Sequence, residues 1–306
     1  MNTGTNPNPV LQSSVQSQRF GPALWSRLGP FYWSVRRELW ESRWIYIAPL
    51  AAASLYLLGF TISVIRLRLH IETSSSLDDL STHPGQNELA PALIMGTAII
   101  VGAFYCLDAL YGERRDRSIL FWKSLPVSDV TAVLSKLAIP VLIVPLISFV
   151  IAVATQLLML VISSAIFAGS GVNIAELWRQ ASFFRVPAIW LYHLVTVHGL
   201  FYAPLYAWLL MVSAWAPRAP FLWAFLPPFV IWGVEKIAFN TSYFLNLLQY
   251  RLTGPGGGMS KEHEQDFTST LIPHHFLSTP GLWTGLVVAA IFLFITVRLR
   301  RARGPI

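Results

Sequence analysis

Histidines and carboxylates are the residue types here with chemistry to offer, and few stand where they can use it. His274 and His275, near His263, Glu264 and Asp266, are of metal-ligand type. Adjacent histidines seldom share one ion, so no metal site is expected. His193 and His198 are five apart, about 140° around a helix, and miss the i, i+4 pairing of a helical metal site. Both are expected to face a helix-bundle interior, hydrogen-bonded to neighbours. His198 and Tyr202 share a face and, with Asp108, are candidates for a polar path. Asp108 is expected to pair with Arg114 or Arg115, or to reach for the membrane surface. Glu235 and Lys236 are neighbours that point different ways, each towards its own partner. The segment GPGGGMSK at 254–261 superficially resembles a phosphate loop, but Lys261 lacks the required glycine spacing and is followed by Glu262. No nucleotide motif is present, so no cofactor is expected in this chain. Any energy it uses comes from a partner or a gradient.

The elements that position these residues are read from composition. The chain has 306 residues, 54% hydrophobic and only 12% charged, with 12 Trp and 19 Phe. Its mean hydropathy is +0.54. Soluble domains carry about 25% charged residues, so the fold class expected is an all-α integral membrane protein. The single Cys106 allows no internal disulfide and reads as a small packing residue. Six segments carry roughly the 20 apolar residues that a spanning helix needs: 44–65, 90–110, 137–167, 189–214, 221–239 and 282–297.

Residues 137–175 contain no Lys, Arg, Asp or Glu, and read either as one long tilted span kinked at Pro140 and Pro145 or as a hairpin of two spans. With six spans and the N-terminus inside, 15 of the 22 Lys and Arg residues fall on the cytoplasmic side. A seventh span would put the RLRRAR run on the wrong face, which favours one long span. This charge placement also explains the net charge of +7 without nucleic acid.

Residues 1–29 form a polar tail, expected to be disordered. Residues 30–43 read as an interfacial helix starting at Pro30, with Phe31, Val35 and Leu39 on one face and Trp33 and Trp40 at headgroup level. Outside, residues 66–89 are too short for a domain and 174–188 read as a surface helix. The largest outer loop is 240–281, whose first part is a candidate re-entrant or interfacial helix.

The strongest signal lies between the second and third spans, at 111–136. Glu113, Arg114, Arg115, Asp116 and Arg117 are too costly for hydrocarbon. Ile119, Leu120, Phe121, Trp122 and Leu125 follow at once, an apolar knob with no span to belong to. Pro126 disfavours helix at Leu125, and Ser128 or Asp129 can cap what comes next. Residues 118–125 therefore read as a short surface helix offered to another protein.

This loop resembles the segment joining spans two and three in permease subunits of ABC-2 type transporters. Glu113-Arg114-Arg115, Ser118, Leu125-Pro126-Val127-Ser128 and Lys136 carry the likeness. The layout over residues 30–303 agrees with it. The resemblance implies a transmembrane permease domain at 44–303 and no catalysis of its own. Residues 113–123, including Ser118 and Lys123, together with Leu125, would couple to a separate ABC ATPase subunit that binds the ATP. A second permease copy and membrane lipid complete the expected partners, in the inner (cytoplasmic) membrane, usually for export. The alternatives are a membrane-embedded enzyme using His193, His198 or Glu235, and a non-transporting scaffold or sensor.

Overall fold

The computed structural model describes residues 23–73, 86–124, 127–169, 174–180, 185–253 and 279–304, and every element among them is helical. Among the described residues five helices are long and apolar enough to cross a membrane: Trp44–Leu69, Leu89–Arg115, Asp129–Phe167, Pro220–Phe239 and Pro280–Ala302. The chain has the make-up of a multi-pass membrane protein. Most of the polar tail, the GPGGGMSK segment and the outer-loop histidines lie outside the described residues, as do Leu125 and Pro126.

Helix α1 (Ala23–Glu41) begins upstream of Pro30, which sits inside it. A proline removes one N–H donor and does not by itself fix a helix start. After a short break at Ser42 the chain enters α2 (Trp44–Thr73). The next span, α3 (Gln86–Ala109), passes through Leu110 into one helical turn, α4 (Tyr111–Arg115). Then comes α5 (Ser118–Ser124), lying within the surface helix expected over 118–125.

Helix α6 (Asp129–Phe167) is continuous over 39 residues, so 137–167 belongs to one long helix and not to a hairpin. Its length is about 58 Å at 1.5 Å per residue, well beyond the hydrocarbon thickness. Ser128 opens it: the side chain accepts from Thr131 N–H at 3.1 Å. Residues Ile139–Ile143 form a wide π turn. Pro140 and Pro145 lack the N–H groups that would hold a regular ladder there.

The fourth expected segment is not one regular helix. It comprises α8 (Arg185–His193), a π-helical stretch Leu194–Phe201, and α9 (Ala203–Trp215), preceded by the short α7 (Ile174–Gln180). Pro204 cannot donate to the Leu200 carbonyl, which favours the break. The two wide turns pack against each other. Three helices complete the order: α10 (Pro220–Phe239), α11 (Tyr243–Thr253) and α12 (Pro280–Ala302).

The main core joins Ile45, Cys106, Ile139, Phe201, Tyr206, Leu210 and Leu282 from α2, α3, α6, α9 and α12 and the π stretch. Cys106 is the buried packing residue expected. Small residues allow close approach, as is usual where helices meet in lipid. A Cβ on Gly102 would lie 3.2 Å from Pro140 Cβ and 3.3 Å from the Tyr206 ring. Helix α10, by contrast, buries only Ala224 and exposes most of its apolar residues.

Candidate functional site

Charged residues from four helices meet at one end of the bundle. Glu38 stands on the α1 face that carries Val35 and Leu39, both packed against the main core. The stripe read as interfacial from sequence therefore faces protein. Glu113 comes from α4, Lys136 and Asp129 from the start of α6, and Arg300 from the last turns of α12. Glu38, Glu113, Lys136 and Arg300 are all buried. Two acids and two bases balance one another, as burial requires.

Lys136 Nζ lies 2.8 Å from Glu38 Oε1 and 3.1 Å from Glu113 Oε1. Arg37 bridges the same two carboxylates, at 2.6 and 3.3 Å. Arg300 donates to Glu113 Oε2 at 3.3 Å and to Asp129 Oδ1 at 2.9 Å. From α3, Tyr105 donates its hydroxyl to Glu38 Oε2 at 2.7 Å. Burial alone would raise the Glu38 carboxyl, but Lys136, Arg37 and Tyr105 outweigh it and hold it below the ordinary value. Glu41, more exposed, goes the other way: burial raises it, although Arg37 opposes.

The loop residues divide into two sets. Glu113, Arg114 and Ile119 point inward. Arg114 donates to the carbonyls of Ala214 at 2.8 Å and Ala216 at 3.2 Å, tying α4 to the end of α9. Ser213 Oγ accepts from Leu110 and Tyr111 N–H on the same seam. Ser118 Oγ donates to the Glu113 carbonyl at 3.4 Å. Lys123 donates to the Arg303 carbonyl at 3.1 Å, and Arg303 donates to that of Trp215. The outer set is Arg115, Asp116, Arg117, Leu120 and Phe121. Arg115 pairs with Asp116 at 3.0 Å. Arg117 takes a left-handed backbone, φ 58°, in the turn between α4 and α5. Leu120 and Phe121 are 58% and 59% exposed. Trp122 is half-buried, its ring 3.6 Å beneath the Arg37 guanidinium and edge-on to Phe121.

Arg114 turns to α9 and Arg115 pairs with Asp116, with the charge of Asp108 also acting on Arg115. Asp108 lines an open cavity of about 800 Å³ with Trp44, Tyr105, Glu113, Trp122 and Lys136. His198 and Tyr202 do share a face, their rings 5.3 Å apart and T-shaped. Both line a separate cavity of about 240 Å³ between α3, α6 and the broken helix. The Tyr202 hydroxyl donates to the Leu252 carbonyl at 2.8 Å. The His193 side chain lies outside what the structure describes. Glu235 caps α11, accepting from Tyr243 and Phe244 N–H at 2.6 and 2.9 Å and from Thr241 Oγ1 at 2.9 Å. Among the described residues no group of three or more His, Cys, Asp or Glu could hold a metal.

Sequence reasoning missed Glu38 and Arg300 as members of this cluster. The signal for Glu38 was present: it falls between Val35 and Leu39 on the apolar stripe of α1, an odd place for a carboxylate without a partner. Comparison with protein-family models, curated proteins and solved structures finds no match.

Proposed function

We propose that this chain is the transmembrane permease subunit of an ATP-driven exporter in the inner (cytoplasmic) membrane. It would work with a separate ATPase subunit, which binds the ATP, and with a second permease copy. The observation that carries this reading is the tip of α5. Leu120 and Phe121 project between two membrane helices, while the base of the same loop is locked to the bundle through Glu113 and Arg114. Such a foot presents apolar surface to a partner and passes a push to α1, α3, α6, α9 and α12 without slack.

Six spans with both termini in the cytosol are supported by the ion pairs. Arg300 touches Glu113 and Asp129, so the end of α12 lies at the end of the bundle where α6 begins. Among the described residues three uninterrupted candidate helices follow the loop: α6, α10 and α12. Three crossings would leave Arg300 on the opposite side, whereas four return it. The broken helix over 185–215 supplies the fourth crossing. Its π stretch is packed against the π turn of α6, where irregular backbone is tolerated in a membrane. The bias of Lys and Arg then marks this end as cytosolic.

The test is a substitution at the tip. Phe121→Asp should leave insertion and folding intact while abolishing co-purification with the partner ATPase and its stimulated hydrolysis. Full assembly and turnover in that variant would refute the docking role. Trp122 is a poorer probe, because its ring also stacks within this chain.

A further inference from the structure

Arg36 and Arg37 are adjacent in sequence and point to different surroundings. Arg37 turns inward to Glu38, Glu41 and Glu113. Arg36 turns outward, and its described contacts are two indole faces: Trp33 at 5.1 Å and Trp40 at 5.7 Å from ring centroid to guanidinium carbon. Trp33 and Trp40 are 62% and 72% exposed. Trp44, the first residue of α2, is 73% exposed, and the exposed Ile47, Leu55 and Leu58 follow along that helix. After the break at Ser42, the exposed apolar surface of α2 follows, of a kind that suits hydrocarbon.

We infer that this face is a binding site for the headgroup of an anionic phospholipid, with the Arg36 guanidinium, held between Trp33 and Trp40, facing the lipid phosphate. Indole rings favour the headgroup level, and a planar guanidinium matches a phosphate through paired donors. Arg43, exposed at the junction with α2, adds a second positive charge beside the row. The exposed apolar surface of α2, next along the chain, selects lipid as the occupant over a soluble protein, and the charge selects an anionic headgroup over a zwitterionic one. The site needs only a membrane chain and no ATPase, so its test is independent of the coupling test.

The full chain is reconstituted in nanodiscs containing phosphatidylglycerol or phosphatidylcholine brominated near the headgroup end of the acyl chains. Quenching at Trp33 and Trp40 is isolated as the difference between the wild type and Trp33→Phe/Trp40→Phe. Brominated phosphatidylglycerol should quench this pair at lower mole fraction than brominated phosphatidylcholine. Arg36→Gln should reduce that preference about fivefold, the equivalent of the ~1 kcal/mol that one basic residue contributes near an anionic surface. Arg36 is exposed, so the thermal midpoint of Arg36→Gln in pure phosphatidylcholine should match the wild type. Equal quenching of the wild type by the two lipids overturns the headgroup selection. No quenching of the pair by either lipid overturns lipid contact altogether and points to a protein cover.

Discussion

Arg300 donates to Glu113 across 3.3 Å, although the two residues stand 187 positions apart in the sequence. The pair fastens the last helix to the loop between α3 and α6, and both members are buried. Removing one partner leaves the other short of a counter-charge; an uncompensated buried charge costs about 3–5 kcal/mol, which is the upper bound here. Glu113→Ala is the more severe change, since it removes a counter-charge from both Lys136 and Arg300, leaving them Glu38 and Asp129 respectively. Thermal unfolding in detergent should show each single variant strongly destabilised and the Glu113→Ala/Arg300→Ala double well short of the sum. Simple additivity would mean that the contact contributes nothing.

The pH response follows from Glu38, whose carboxyl is held below its ordinary value of 4.5. A depressed carboxyl contributes stability that is complete above the unfolded value and is lost as pH falls through the folded one. Unfolding midpoints should therefore be insensitive to Glu38 near neutrality and decline below about pH 4.5. Glu38→Gln should flatten that acid limb while lowering the midpoint at pH 7. A steeper acid decline in the variant would contradict this assignment.

Within α5, adjacent positions should separate stability from docking. Ile119 is fully packed, and Ile119→Ala should cost about 2–5 kcal/mol. Leu120→Asp, on an exposed position, should stay within about 0.5 kcal/mol of wild type. If the foot docks on an ATPase, Leu120→Asp nevertheless loses stimulated hydrolysis. Comparing midpoints with turnover distinguishes the two effects.

Arg117 provides a further separation, because its backbone is left-handed. Glycine carries no steric penalty there, so Arg117→Gly should be neutral or stabilising by up to about 1 kcal/mol. Under the docking proposal the same change removes a charge from the outer set and weakens ATPase binding. A destabilised Arg117→Gly protein would show that the side chain, not the turn, matters to the fold.

Glu235 should act as a cap and not as a catalyst. Glu235→Ala ought to loosen the first turn of α11, and Glu235→Gln should recover part of that loss. Hydrogen exchange at Tyr243 and Phe244 amides reads this directly. Unchanged protection would remove the capping role.

Hydropathy revealed the five helices long and apolar enough to cross a membrane because twenty apolar residues are a strong local signal, and the breakers around Pro126 and Ser128 placed α5 and the start of α6. Less visible was the break over 194–201. A widened turn depends on what packs against it, here the second wide turn in α6, and on Pro204 further along. The charged loop looked wholly exposed because charge per residue says nothing of long-range partners. Glu113 and Arg114 are inside only because Arg300, Lys136 and the carbonyls of Ala214 and Ala216 come to meet them. Interfacial periodicity in α1 was legible, but not the direction it faces, since protein and lipid both accept an apolar stripe.

The wide turn at Ile139–Ile143 divides α6 unequally, with 10 residues before it and 24 after it. At 1.5 Å per residue these arms measure about 15 Å and about 36 Å. If the turn serves as a fulcrum, a displacement of Asp129 by about 2 Å becomes one of nearly 5 Å at the far tip by simple leverage. The prolines that loosen the ladder there would then set the gearing between a small stroke at one membrane face and a larger one at the other.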